Sequence, residues 1–216
     1  MGDPFSEKFT RLDIMSLAIK TIIFDLSEVL IAGLCGVEET LALRLGSPPP
    51  EVLSAFGGDL LVQLCRGEIS EDVFLKSVIA TNGWNISMDE LKQSIRANFR
   101  RKVPGMENLL ERLAAQYELV LLSDHAKEWV QHIHEIHPHL QIFRARIYSF
   151  EFGQTKNEPS TFQRLLELIH RRGDECVFVD DNLGNIECAR SAGIQAFHFT
   201  NAETLLNDLR KESLLS

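Results

Sequence analysis

Apolar positions along the chain follow two rhythms. Five short stretches read as strands: AIKTIIFDL, YELVLLSD, ARIYSF, CVFVDD and QAFHF. All but ARIYSF are bare or near-continuous apolar runs, the pattern of a strand covered on both faces in a parallel sheet. Between them, apolar residues recur at helical spacing. In GMENLLERLAAQY, Met106, Leu109, Leu110 and Leu113 fall at i, i+3, i+4 and i+7 and form one stripe. STFQRLLELIHRRG repeats this with Phe162, Leu165, Leu166 and Ile169, and its basic end and Gly173 predict the helix stop. NLGNIECARSAG runs to a stop at Gly193. Strands alternating with helices imply βαβ units and an open, doubly wound parallel α/β sheet.

Residues 32–102 break the alternation. They read as helix after helix with no strand. Gly46 and Pro48–Pro50 close the first helix. Ser70, followed by Glu71 and Asp72, opens another, with acids suited to the positive helix end. Ser87 and Glu90 have the spacing of a capping box. The expected organisation is a poorly ordered leader at 1–16, with Met15 as a possible alternative start. An α/β core follows at 17–31 and 103–216, with a helical cap at 32–102. A cap inserted after the first strand would sit over the carboxyl edge of the sheet, where open α/β sheets bind ligands.

Composition narrows the partner. Hydrophobic residues make up 44% and charged residues 25%, ordinary for a globular protein. The net charge of −9 argues against nucleic acid or an anionic membrane surface as partner. It leaves open a small phosphorylated molecule, which needs positive charge only locally. Cys35, Cys65, Cys176 and Cys188 are widely separated, with no C-x-x-C pair, so buried thiols are expected rather than zinc or disulfides. With no signal-like segment and no apolar run near ~20 residues, a cytoplasmic monomer or homodimer is expected.

Three of the strand-like runs end on reactive-looking groups: Asp25, the pair Ser123–Asp124, and the pair Asp180–Asp181. Lys156 lies in a loop just before a helix. In a parallel sheet all three strand ends share one rim. A single acid there is often the N-cap of the next helix, and that reading stays open for Asp124. Adjacent carboxylates repel unless a cation compensates them. With Asp25 close by, a hard oxygen-seeking ion such as Mg²⁺ is the natural compensator.

FDLSEVL, VLLSD, TKNEPSTF and FVDDNLGNIECARSAG resemble, in order, the four motifs of the haloacid dehalogenase-like (HAD) hydrolases. The likeness covers residues 19–200, and the helical insertion resembles that family's C1-type cap. The resemblance implies Asp25 as the nucleophile that forms an aspartyl-phosphate. Ser27, Ser123, Asp124 and Lys156 would then form the phosphate and substrate side. Lys156 would neutralise charge, and Ser123 would hold the phosphoryl oxygens. Mg²⁺ would be held by the Asp25 carboxylate, the Ser27 carbonyl and Asp181, with Asp180 supporting Lys156 or a bound water.

One position departs from the pattern. Phosphatases of this family typically carry a second aspartate two residues past the nucleophile, and here that residue is Ser27. A hydroxyl is a poor acid near neutral pH, and general acid–base catalysis contributes about 10²–10⁴-fold. The resemblance therefore implies a phosphatase for small metabolites with good leaving groups, weak on ordinary alkyl phosphates. A fold that binds a ligand without useful turnover, and a dehalogenase attacking a carbon–halogen bond, are the alternatives. Glu28 could substitute as the acid only if it faced the site, and strand alternation points it away.

Other features carry less. His132, His134, His137 and His139 include no i, i+4 pair, and Pro138 interrupts their helix. His125, just past Ser123–Asp124, is the histidine nearest the expected rim. The basic stretch 96–102 suits a helix C-terminus, and Trp84 and Trp129 suit packing. Cys65 and Arg66 lie in a cap segment that could face the site.

Overall fold

The structure is a computed structural model that describes residues 18–216, so the expected leader at 1–16 lies outside the described residues. Each of the five strand-like runs forms a strand: β1 Thr21–Phe24, β2 Glu118–Ser123, β3 Ala145–Tyr148, β4 Cys176–Asp180 and β5 Gln195–His198. All pairings are parallel, in the order β3-β2-β1-β4-β5. β1 is central, and Phe24 pairs with Leu121 on one side and Val179 on the other. The chain therefore winds outward in both directions from β1, which makes its carboxyl end the topological switch point.

The apolar runs are continuous because both faces of the sheet are buried. Ile22 and Phe24 belong to one core cluster, while Ile23, between them, belongs to the other. α6 (Met106–Ala114) lays Met106, Leu109, Leu110 and Leu113 onto the first core, all four buried. α9 (Pro159–Ile169) covers the other face with Phe162 and Leu165, and Leu166 and Ile169 pack at its margin. Burying one such side chain contributes about 1.5–3 kcal/mol. α7 (Lys127–Ile136), the short α8 (Ser149–Phe152), α10 (Leu183–Ser191) and α11 (Ala202–Lys211) complete the layers.

One boundary differs from expectation. α9 stops on His170, which takes a left-handed backbone (φ 54°), three residues before Gly173. Gly173 instead allows close backbone passage: a Cβ there would lie 2.6 Å from the Ala192 carbonyl oxygen.

Residues 37–99 hold five helices: α1 Val37–Leu45, α2 Pro49–Ser54, α3 Asp59–Cys65, α4 Glu71–Asn82 and α5 Met88–Phe99. Ser70 and Ser87 cap α4 and α5, accepting from the Val73 and Glu90 amides. The predicted box at Ser87 is only half made, since the Glu90 carboxylate pairs with Arg44 instead. Glu71, expected merely to favour a helix start, is buried and shared. It takes two bonds from Arg96, at 2.7 and 2.8 Å, and one from the Trp129 indole at 2.9 Å. This ties α4 and α5 to α7. The basic stretch 96–102 is thereby partly consumed, with Arg96 on Glu71, Arg101 on Asn98 and Lys102 on Glu107. Among the described residues, no helix is long and apolar enough to cross a membrane.

Candidate active site

The three strand ends meet as the topology requires. Asp25 continues the ladder past β1, donating its amide to the Val179 carbonyl at 2.9 Å. Ser123 closes β2 and Asp180 closes β4. Lys156 enters from the loop before α9 and is 2% exposed. Its Nζ lies 2.5 Å from Asp25 Oδ1 and 2.7 Å from Asp180 Oδ2. Burial opposes the ammonium charge, but Asp180, Asp25 and Asp124 outweigh it and hold Lys156 protonated well above the lysine range. Burial, reinforced by Asp180, pushes the Asp25 carboxyl well above its usual range against the pull of Lys156.

Asp180 is fully buried, and both its oxygens accept hydrogen bonds. Besides Lys156 it accepts from the Asn182 amide at 2.8 Å and from the Asn185 side chain at 3.1 Å. Asp181, beside it, is exposed and makes no side-chain bond to a neighbour among the described residues. Asn182, not either aspartate, caps α10. Nor does Asp124 cap a helix: it accepts from the Lys156 amide at 3.0 Å, holding the lysine loop against the end of β2. Glu158 braces the same loop by accepting from the Thr155 amide at 2.8 Å, and Arg66 at the end of α3 pairs with Glu158 at 2.9 Å.

A metal fits the acidic group. Asp25, Asp180 and Asp181 can each offer an oxygen, and these oxygens lie within 4.8 Å of one another. The Ser27 carbonyl accepts no backbone hydrogen bond from the described residues, so a further oxygen is available. An all-oxygen set with excess negative charge suits a hard divalent cation. The Ser123 hydroxyl is buried without a protein partner. A buried hydroxyl left unpaired beside such a group fits an anion that arrives with the ligand.

The turn after β1 holds Ser27 tightly. Gly33 passes so close that a Cβ there would sit 2.7 Å from Ser27 Cβ. Glu28 adopts a left-handed backbone (φ 61°) and its carboxylate accepts from the Gly33 and Cys35 amides at 2.8 and 3.2 Å. Burial raises the Glu28 carboxyl above its usual range, against those two amides. Ser27 Oγ is hydrogen-bonded to His125 Nε2 at 2.8 Å. His125 is buried, and burial, with help from Lys156, lowers its pKa to about 3, so the ring is neutral.

Asp25, Ser27, Glu28, Asp124, His125, Lys156 and Asp181 all line one cavity of about 460 Å³. Glu28, expected from strand alternation to point away, lines it because β1 has ended at Phe24 and the chain has turned. Ser123 and Asp180, both buried at the ends of their strands, are not among its lining residues. The cavity's other wall is apolar and comes largely from the helical insertion: Leu34, Leu61, Val62 and Cys65, with Trp129. The sequence showed no sign of the Ser27–His125 pair, the Arg66–Glu158 brace or the Glu71–Trp129 tie. Each joins residues too distant in sequence to leave a spacing signal. The other histidines are spent elsewhere. His134 is bonded to the Tyr148 hydroxyl and His137 donates to the Phe99 carbonyl, both at 2.6 Å. His139 lies 3.5 Å from Glu107.

Comparison with known proteins identifies the family and the fold. The family model of haloacid dehalogenase-like hydrolases matches residues 19–193. The chain is 26% identical over 192 residues to a D-ribitol-5-phosphate phosphatase of Bacteroides thetaiotaomicron, covering 85% of this chain and 93% of that protein. It is 25% identical over 173 residues to flavin mononucleotide hydrolase 1 of Arabidopsis thaliana, covering 76% of this chain and 66% of that one. A crystal structure of a HAD family enzyme from Bacteroides thetaiotaomicron, in complex with magnesium, superposes with a TM-score of 0.73. It is 21% identical and covers 89% of this chain and 99% of that one. The match to the family model spans most of the chain, so the protein belongs to the haloacid dehalogenase-like hydrolases.

Proposed function

We propose that the protein is a Mg²⁺-dependent phosphatase that acts on a small phosphorylated metabolite through an aspartyl-phosphate on Asp25. The observation that carries this reading is the Lys156 ammonium bound between Asp25 and Asp180, with Asp181 in the same oxygen cluster. Phosphoryl transfer needs charge neutralisation and in-line positioning above all. The names of two relatives, a D-ribitol-5-phosphate phosphatase and a flavin mononucleotide hydrolase, support the same class.

In this reading Asp25 Oδ attacks phosphorus, the bond to the leaving oxygen breaks, and the acyl phosphate that forms is hydrolysed by water at phosphorus. Ser123 Oγ donates to a transferring phosphoryl oxygen. Lys156 neutralises both Asp25 and the phosphoryl group, while Asp124 holds the lysine loop through its backbone. Asp25, Asp181 and the Ser27 carbonyl would hold Mg²⁺, and Asp180 keeps Lys156 in place. When bound, the ion supplies charge neutralisation at the phosphoryl oxygens. The dehalogenase alternative would also use Asp25 as nucleophile, but it needs no metal and leaves the Asp180–Asp181 pair without a cation to hold.

Ser27 sets the limit on the chemistry. Its hydroxyl can give a hydrogen bond to the leaving oxygen but not a proton at neutral pH, so substrates that leave well are favoured. Residues 32–102 act as the cap, since they provide most of the apolar wall over the site. The four cysteines are free, in keeping with a reducing compartment such as the cytoplasm. The test is phosphate release from an aryl phosphate and from acetyl phosphate. Turnover that requires Mg²⁺ and is lost in Asp25→Asn supports the reading. Absence of turnover in protein that binds Mg²⁺ favours a ligand-binding role instead.

A further inference from the structure

The cavity is electrically lopsided. Among the described residues that line it, Lys156 is the single cationic side chain, and Asp25 and Asp180 already engage it at 2.5 and 2.7 Å. Asp25, Glu28, Asp124 and Asp181 line the same space. Arg66, at the end of α3, is not among the lining residues and is held by Glu158 at 2.9 Å. Leu34, Leu61 and Val62, each partly exposed, line the same cavity.

We infer that the organic part of the substrate is uncharged and turns an apolar face to Leu34, Leu61 and Val62, so that the reactive phosphate is its only anionic group. This rests on the phosphatase reading and narrows it. The phosphoryl end has compensators in Lys156, the bound cation and the Ser123 hydroxyl. A second anion, a carboxylate or another phosphate, would be held within the cavity against several carboxylates and an apolar wall. It would give up its water and gain no cation in return, a combination that costs binding. A neutral ring or alkyl segment gives up only apolar surface to water and gains contact with the wall. The cavity volume of about 460 Å³ suits an organic group of modest size.

The test compares phenyl phosphate with 3-carboxyphenyl phosphate, whose phenols are of similar acidity, so that leaving-group chemistry does not confound the charge. Wild-type protein with Mg²⁺ should favour phenyl phosphate in kcat/KM by about tenfold or more. Leu61→Lys places a cation on the apolar wall at a partly exposed position. It should bring the two substrates to within about threefold of each other, chiefly by lowering KM for the carboxylate. Equal kcat/KM in the wild type, or preference for the carboxylate, would overturn the inference. If neither compound is hydrolysed, the phosphatase reading fails separately. Binding of the same two compounds to Asp25→Asn protein with Mg²⁺ then decides. Tighter binding of phenyl phosphate upholds the charge selection, and equal binding or none refutes it.

Discussion

Lys156→Met removes the charge that the site is built around while keeping side-chain length. Lys156 is 2% exposed, and its Nζ bridges Asp25 at 2.5 Å and Asp180 at 2.7 Å. Asp180 is wholly buried, so its carboxylate cannot turn to water when the ammonium is lost. Breaking a buried pair by deleting one partner costs about 3–5 kcal/mol. That is a large part of a typical stability of about 5–15 kcal/mol. In a chain of this size, each kcal/mol moves the midpoint by about 2–4 °C, so Tm should fall by roughly 6–20 °C. The assay is urea unfolding in chelator, followed by the fluorescence of Trp84 and Trp129. Lys156→Met/Asp180→Asn removes one of the stranded charges and should recover about 1 kcal/mol or more, because the two residues are in direct contact. A loss under about 1 kcal/mol in the single variant, with no recovery in the double, would refute the view that Lys156 neutralises this pair.

Four further outcomes are expected. Ser27→Asp should raise kcat on alkyl phosphates by about tenfold or more and change aryl phosphate hydrolysis far less, because only poor leaving groups need a proton; a leaving-group series measures this. Ser27→Ala leaves His125 Nε2 without its partner and should cost about 1–3 kcal/mol in denaturant unfolding. Gly33→Ala forces a methyl against Ser27 and Glu28 and should cost about 1–3 kcal/mol while lowering kcat/KM. Trp129→Phe deletes the indole bond to buried Glu71 and should cost about 1.5–3 kcal/mol, whereas Leu43→Ser, at a 95% exposed position, should change stability by less than about 0.5 kcal/mol.

The strands were legible because a sheet buried on both faces demands uninterrupted apolar runs, and TIIF, ELVLLS and CVFVD carry that demand in their composition. The convergence of Asp25, Ser123 and Asp180 followed from parallel pairing alone. The end of α9 was misplaced because His170 adopts the left-handed turn that a glycine usually provides, while Gly173 answers a backbone contact with Ala192 that no local pattern records. Glu71 looked like an ordinary first-turn acid, and only the folded chain shows that Arg96 and Trp129 bury it. Asp124 was open between cap and site residue. Its bond to the Lys156 amide is a tertiary contact and has no local signature. The cavity's apolar wall was equally hidden, since partly exposed leucines and valines on helices look alike until the fold turns some of them toward a site.

The central claim is that Asp25 takes the phosphoryl group. The most direct measurement is a single-turnover reaction with acetyl phosphate and Mg²⁺, quenched in acid and digested, with the peptide carrying Asp25 examined by mass spectrometry. A phosphoryl adduct on Asp25 that forms and decays with turnover, and is absent in chelator, is the expected result. Steady phosphate release with no adduct on that peptide at any time, or release undiminished in Asp25→Asn, would contradict it.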